Sequence, residues 1–182
     1  MKSHLCKTLT ESYLTFEELN TLLIQVEGIL NSRPLVQLTD DLFDYEALSP
    51  GHFLVGRELT AVAEPLYDDW KESSLSRYQL VQKRMQHFWK RWSSEYVTGL
   101  QKRGKWYKEP ALLRKGMLVL LKEDNVPPKT WKLGRIIETH PGKDGIVRVI
   151  TVRTGNGVYK RPTTQVAVLP IDDNTVPAES QE

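Results

Sequence analysis

The sequence predicts an α+β chain, with helices first and then a small antiparallel β-barrel of the SH3-like kind. Three observations predict it. Apolar residues recur at helical spacing in the first half and switch to period two near Met117. The clusters VPPKTW, PGKDG and GNG then break the remainder into short strands. Charge segregates along the same divisions. Residues 1–76 hold five Lys/Arg against thirteen Asp/Glu, a net of −8. Residues 77–161 hold 20 against 6, a net of +14, and residues 162–182 hold none against four, a net of −4. The overall +2 conceals this. Asymmetry of this kind points to contact with nucleic acid or a membrane surface.

Residues 1–13, MKSHLCKTLTESY, place Leu5, Cys6, Leu9 and Tyr13 near one side of a short helix. No cap precedes it, as expected of a chain that starts partway through a larger domain. Cys6 is expected to be a small buried residue. As the single cysteine it excludes an internal disulfide. Thr15 opens a clearer helix, because Thr15 with Glu18 forms a capping box and Leu14 with Leu19 a hydrophobic staple. Phe16, Leu19, Leu22, Leu23, Val26, Ile29 and Leu30 give it a broad apolar face. Pro34 ends it near Asn31. The first thirteen residues cannot cover that face, so a missing N-terminal partner or a partner subunit is expected to.

Residues 36–76 read as an irregular connector rich in Pro, Gly and Asp. Asp40, Asp41, Asp44 and Glu46 form an acidic cluster, expected as a solvated loop rather than a metal site. His52 has no second His or Cys near it and is expected to be structural.

Residues 77–108 predict a long basic amphipathic helix and a basic loop. Ser76 with Gln79 supplies a capping box. Tyr78, Val81, Met85, Phe88, Trp89, Trp92 and Tyr96 share one side, with Lys83, His87 and Lys90 opposite. Arg77, Arg84 and Arg91 recur every seven residues as a flanking stripe, about 10 Å between neighbours. Strands follow over Met117–Lys122, Lys132–His140, Ile146–Thr154 and Val158–Leu169, the last as one strand or as two short ones broken at Pro162. Basic residues run through these strands and turns, with Trp106, Tyr107 and Trp131 among them. Lys/Arg interleaved with aromatics suits a surface that tracks a phosphate backbone. Trp131 itself is expected in the core. The tail from Asp172 is acidic, poor in large apolar residues and expected to be disordered.

No phosphate-cradling glycine loop, nucleophile elbow or paired-His zinc motif is present. No apolar run is long enough to span a bilayer, and no signal peptide opens the chain.

Four stretches carry a family resemblance: LTFEELNTLLIQVEGILNSRPL, LSPGHFLVGREL, LSRYQLVQKRMQHFWKRWSSEYVTGLQKRGKWYK and GRIIETHPGKDGIVRVITVRT. Together they resemble the C-terminal part of the integrase of Pao-type (Bel/Pao) LTR retrotransposons, over nearly all of residues 2–170. HFWKRWSSEY and HPGKDGIVRV are the most specific signatures. The sequence departs from the pattern at Met117, where an acidic residue is common, and in the looser PTTQVAVLP segment. The resemblance implies that residues 1–35 are the last helices of an RNase H-like integrase core, followed by an uncharacterised domain. It also implies that the metal-binding acidic triad precedes this chain, so no catalytic residue carries over. A divalent metal is then expected for the complete integrase, with no cofactor and no metal site in this chain.

The domains expected are therefore residues 1–35, 36–76, 77–108, a barrel over 109–171 and a tail over 172–182. The expected function is non-catalytic DNA binding that contributes to integration, within the cell and in the nucleus. Contacts would be mainly to phosphates, with weak sequence preference. The candidate contacts are Arg77, Lys83, Arg84, Lys90, Arg91, Lys102, Arg103, Lys105, Trp106, Lys132, Arg135, Lys143, Arg148, Arg153, Lys160 and Arg161. Other partners expected are the missing core or a second copy, and no membrane. The alternative is a protein-interaction module mediating oligomerisation or peptide binding.

Overall fold

The computed structural model describes residues 2–9, 13–39, 41, 43–62, 64–101, 113–123 and 126–170. It is an α+β structure in which a central helix separates a helical layer from a five-stranded antiparallel sheet. The expected disordered tail lies outside the described residues, as do residues 102–112 of the basic loop.

The helical layer comprises α1 (Lys2–Leu9) and α2 (Phe16–Asn31). Thr15 and Glu18 close the expected capping box, the Glu18 carboxylate accepting from the Thr15 N–H at 2.8 Å. Leu22, Val26 and Ile29 of α2 pack on Val81, Phe88, Trp89 and Trp92 of α4 (Arg77–Leu100), and Leu5 and Leu9 of α1 join them. The expected external partner is thus replaced on this side by the chain's own α4. The far side of α2, with Phe16 and Ile24, stays exposed. Cys6 is exposed rather than buried, because α1 turns Leu5 and Leu9 inward instead.

The connector folds more than its composition suggests. β1 (Val36–Gln37) pairs antiparallel with β2 (Ala47–Leu48), and α3 (Pro50–Val55) follows. His52 is structural, as expected: its Nδ1 accepts from the Ser49 N–H at 3.0 Å and closes the first turn of α3. The connector then crosses α4, where the Gln86 side chain accepts from the Tyr67 N–H at 2.9 Å and donates to the Pro65 carbonyl at 2.8 Å. Hence α4 is not the two-sided amphipathic helix expected. Gln82, Arg84 and Gln86 are buried, whereas Tyr78 of the aromatic stripe is exposed.

The sheet runs β3 (Leu118–Leu121), β4 (Lys132–Pro141), β5 (Val147–Thr154), β6 (Gly157–Pro162) and β7 (Val166–Val168). In space the order is β6-β5-β4-β3-β7. All four residues of β3 are buried, because both its faces are covered. Val119 and Leu121 meet Ile136, Ile150, Val152 and Val166 on one face. Leu118 and Leu120 meet Ala167, Leu169 and the C-terminal end of α4 on the other. Gly134 on β4 is needed for this packing, since a Cβ there would lie 2.6 Å from Val152 Cγ1 and 2.7 Å from the Arg153 carbonyl. The turn after β4 places Gly145 at φ 75°, as PGKDG predicts.

The strands form an open sheet and not the closed barrel expected. β6 pairs with β5, β7 pairs with β3, and β6 does not pair with β7. Pro162 has no N–H to donate, and a 3-10 turn over Thr163–Gln165 ends β6 before it reaches β7.

One turn fastens the two layers. Trp131 stands edge-on to Trp89, Trp92 and Tyr96, at centroid distances of 4.7, 5.9 and 5.6 Å. Its indole N–H donates to Ser32 Oγ at 3.2 Å, and Trp89 donates to the Val126 carbonyl at 2.9 Å. Trp131 is therefore part of the packing, as expected.

Candidate nucleic-acid interface

Two of the arginines expected at the surface are interior. Arg84 is 3% exposed and pairs with Glu72 at 2.8 Å. Arg135 is also 3% exposed, and its guanidinium donates to the carbonyls of Asp44, Gly116 and Thr39 at 2.9, 2.9 and 2.8 Å. That fork fixes the connector to the sheet and leaves neither arginine turned to solvent. Burial of such a cation requires hydrogen-bonding partners of this kind.

Others are at the surface but already engaged. Arg77 donates to the Glu18 carboxylate and to the Tyr13 carbonyl, so the Arg77–Arg84–Arg91 stripe is not a free row. The same bond is the main cause that holds the Glu18 carboxyl below its usual range. Lys83 donates to the Trp70 carbonyl at 2.5 Å. Arg148 is held bidentate by Asp144 at 3.0 and 2.6 Å, and Arg161 reaches Glu123 at 3.4 Å. Arg153 stands over the Phe43 ring at 6.0 Å on the outer face of β5, and Lys160 is exposed on the neighbouring strand. Lys143 is exposed in the β4–β5 turn. Lys102, Arg103, Lys105 and Trp106, with Tyr107, lie outside the described residues.

What the fold does bring together is a groove between α4 and the β3–β4 hairpin. Lys90 lines it from α4, and Lys122 and Lys132 line it from the sheet. Trp89, Val97, Leu121, Val126 and Trp131 form its floor, with Ser93, Ser94 and Thr130 between. The carboxylates of Asp68 and Glu123 also reach the rim. Asp68 pairs with Lys90 at 3.0 Å, an exposed contact of the kind worth little. Glu123 is the residue already met by Arg161. The enclosed part of the groove measures about 50 Å³, room for a few waters and far below a pocket for a cofactor. Ser94 also borders a second, open cleft lined by His4, Arg91 and Glu95, so Arg91 lies round α4 from the groove, about 100° from Lys90.

Sequence reasoning missed Lys122. Its signal was present, as the first charge after the apolar run of β3, at the mouth of a hairpin. No three His, Cys, Asp or Glu side chains among the described residues come together to hold a metal ion, so no step is assigned to one. No helix among the described residues is long and apolar enough to cross a membrane.

These features define a small helix-and-sheet protein with a shallow lysine-lined groove. The chain belongs to a family of unknown function, DUF5641, whose model matches residues 76–169, just over half of the chain. The match opens on the Ser76 cap of α4 and ends at buried Leu169 after β7. The family unit is therefore α4 and the sheet, with α1, α2 and α3 outside it. No curated protein and no solved structure matches the chain.

Proposed function

We propose that this chain binds DNA without catalysing a reaction, as the C-terminal segment of a Pao-type retrotransposon integrase. The observation that carries the reading is convergence. Lys90 from α4 and Lys122 and Lys132 from the β3–β4 hairpin border one groove, although α4 and the hairpin are separate stretches of the chain. Lysines arranged this way suit phosphates, which position a duplex without reading it. On this reading the chain holds DNA beside the metal-dependent core of the complete integrase, in the nucleus. Its first helices would be the end of an RNase H-like core.

The sheet is read as an SH3-like module. Four strands form a meander, and a fifth returns through a 3-10 turn to pair with the first. That path is the one an SH3-like barrel follows, opened here between β6 and β7.

The test is fluorescence anisotropy of a short duplex at rising salt. Binding should weaken steeply between about 50 and 200 mM salt. Lys122→Glu with Lys132→Glu should weaken it at all sequences alike. Affinity unchanged by that pair would remove the groove from the reading. The protein-interaction alternative draws on the apolar floor of the same groove, Trp89 and Trp131 above all. DNA-independent capture of a peptide, lost in the same pair of variants, would favour it.

A further inference from the structure

β6 is the outermost strand of the sheet, and one of its two edges is free. It pairs with β5 alone, and every residue in it except Arg161 is exposed. The register shows which backbone groups lie on the free edge. The β5–β6 hairpin closes on the pair Thr154–Gly157, with two residues between them. That closing pair exchanges hydrogen bonds, and the pairs beyond it alternate between non-bonded and bonded. Tyr159 and Arg161 therefore bond inward, to Val152 and Ile150. Val158 and Lys160 turn their N–H and C=O groups outward. Pro162 follows in the same alternation, so its missing N–H falls on the outer edge, a position that suits proline. No backbone group of the described residues bonds to this outward row.

Charge selects what can pair there. Residues 147–162 carry Arg148, Arg153, Lys160 and Arg161 and no Asp or Glu. Asp144 holds Arg148, and Glu123 holds Arg161. Arg153 and Lys160 meet no carboxylate among the described residues. They share one face, since Lys160 stands opposite Thr151, two residues from Arg153 on β5. A lysine on an edge strand opposes pairing with a like edge. A second copy of β6 would set Lys160 and Arg161 against the same cations, whereas a strand bearing carboxylates would meet them favourably.

We propose that the outer edge of β6 binds an extended acidic segment of another protein, which joins the sheet as a sixth strand. Its backbone would pair with Val158 and Lys160, and carboxylates at alternate positions would meet Lys160, with Arg153 one strand further in. The inference is independent of the DNA reading, since it uses β6 and not the groove.

The experiment titrates the full chain with a labelled peptide of about eight residues in which Thr and Glu alternate, and with a twin carrying Lys in place of Glu. The Thr/Glu peptide should bind saturably and the Thr/Lys peptide should not. Bound peptide should slow amide exchange at Val158 and Lys160 at least about tenfold. N-methylation of alternate peptide residues should weaken binding at least about tenfold in one register and not in the other, because only alternate N–H groups face the sheet. Lys160→Glu, at an exposed position, should weaken binding with circular dichroism unchanged. Four outcomes overturn the proposal. One is no saturable binding of the Thr/Glu peptide. The second is binding without protection at Val158 and Lys160, which would place the peptide on another basic surface. The third is protection of those amides that rises with chain concentration in the absence of peptide, which would make a second copy the occupant. The fourth is tighter peptide binding after Asp172→Asn, Asp173→Asn, Glu179→Gln and Glu182→Gln, which would make the chain's own acidic end the occupant.

Discussion

Arg84 and Arg135 are cations like the lysines of the groove, yet they serve packing. Arg135 is the sharper case, because its planar fork satisfies three backbone carbonyls, two from the connector and one from the turn before β3. Lysine presents a single ammonium and cannot span them. Arg135→Lys should therefore cost about 3 kcal/mol in urea unfolding, from carbonyls left buried and unpaired. It should leave DNA affinity unchanged for the folded fraction. Asp144 gives a pH prediction. The hydrogen bond from Arg148, helped by the Ile146 N–H, holds its carboxyl down from 3.8 to about 2. A folded value below the unfolded one means the contribution is present above about pH 4 and is lost as pH falls towards about 2. An NMR titration of the Asp144 carboxyl should show the low value, and Arg148→Gln should move it back towards 3.8.

At the level of elements, α4 and the 126–131 turn connect the two layers. The Ser76 side chain accepts from the Gln79 N–H at 3.3 Å and starts α4, so Ser76→Ala should lower stability by about 1 kcal/mol. Trp131 bears on three rings of α4 and on Ser32, and Trp131→Ala should cost about 3–5 kcal/mol. Its loss should raise amide exchange in α2 and β3 together, because one side chain joins both layers. Gly134→Ala tests the sheet alone. The added methyl would press on a backbone carbonyl that cannot rotate away, so β4–β5 amides should lose protection while α2 amides keep theirs.

At the level of the whole molecule, the basic surface is an assembly of elements from different parts of the chain. If Lys90, Lys122 and Lys132 each contact one phosphate, replacing all three with Gln should lower the salt slope of DNA binding by about 3. The same triple applied to Lys143, Arg153 and Lys160, which lie away from the groove, should change the slope little. Equal effects from both triples would mean that DNA follows net charge and not the groove.

Local patterning in the sequence determined α1, α2 and α4, the capping boxes at Thr15 and Ser76, and the strand pieces of the five-stranded sheet with their turns, but not β1, β2 and α3 of the connector. Thr15–Glu18, Ser76–Gln79 and PGKDG act through neighbours a few residues away, so the sequence displays them directly. Tertiary structure decided which cations face water. Arg77, Arg84 and Arg91 recur at one spacing, but Glu18, Glu72 and open solvent give them three different surroundings. It also decided that α4 would cover α2, that Pro162 and its turn would leave the sheet open, and that Lys122 would join Lys90 and Lys132. Each depends on contacts between residues far apart in the chain, where packing overrides periodicity.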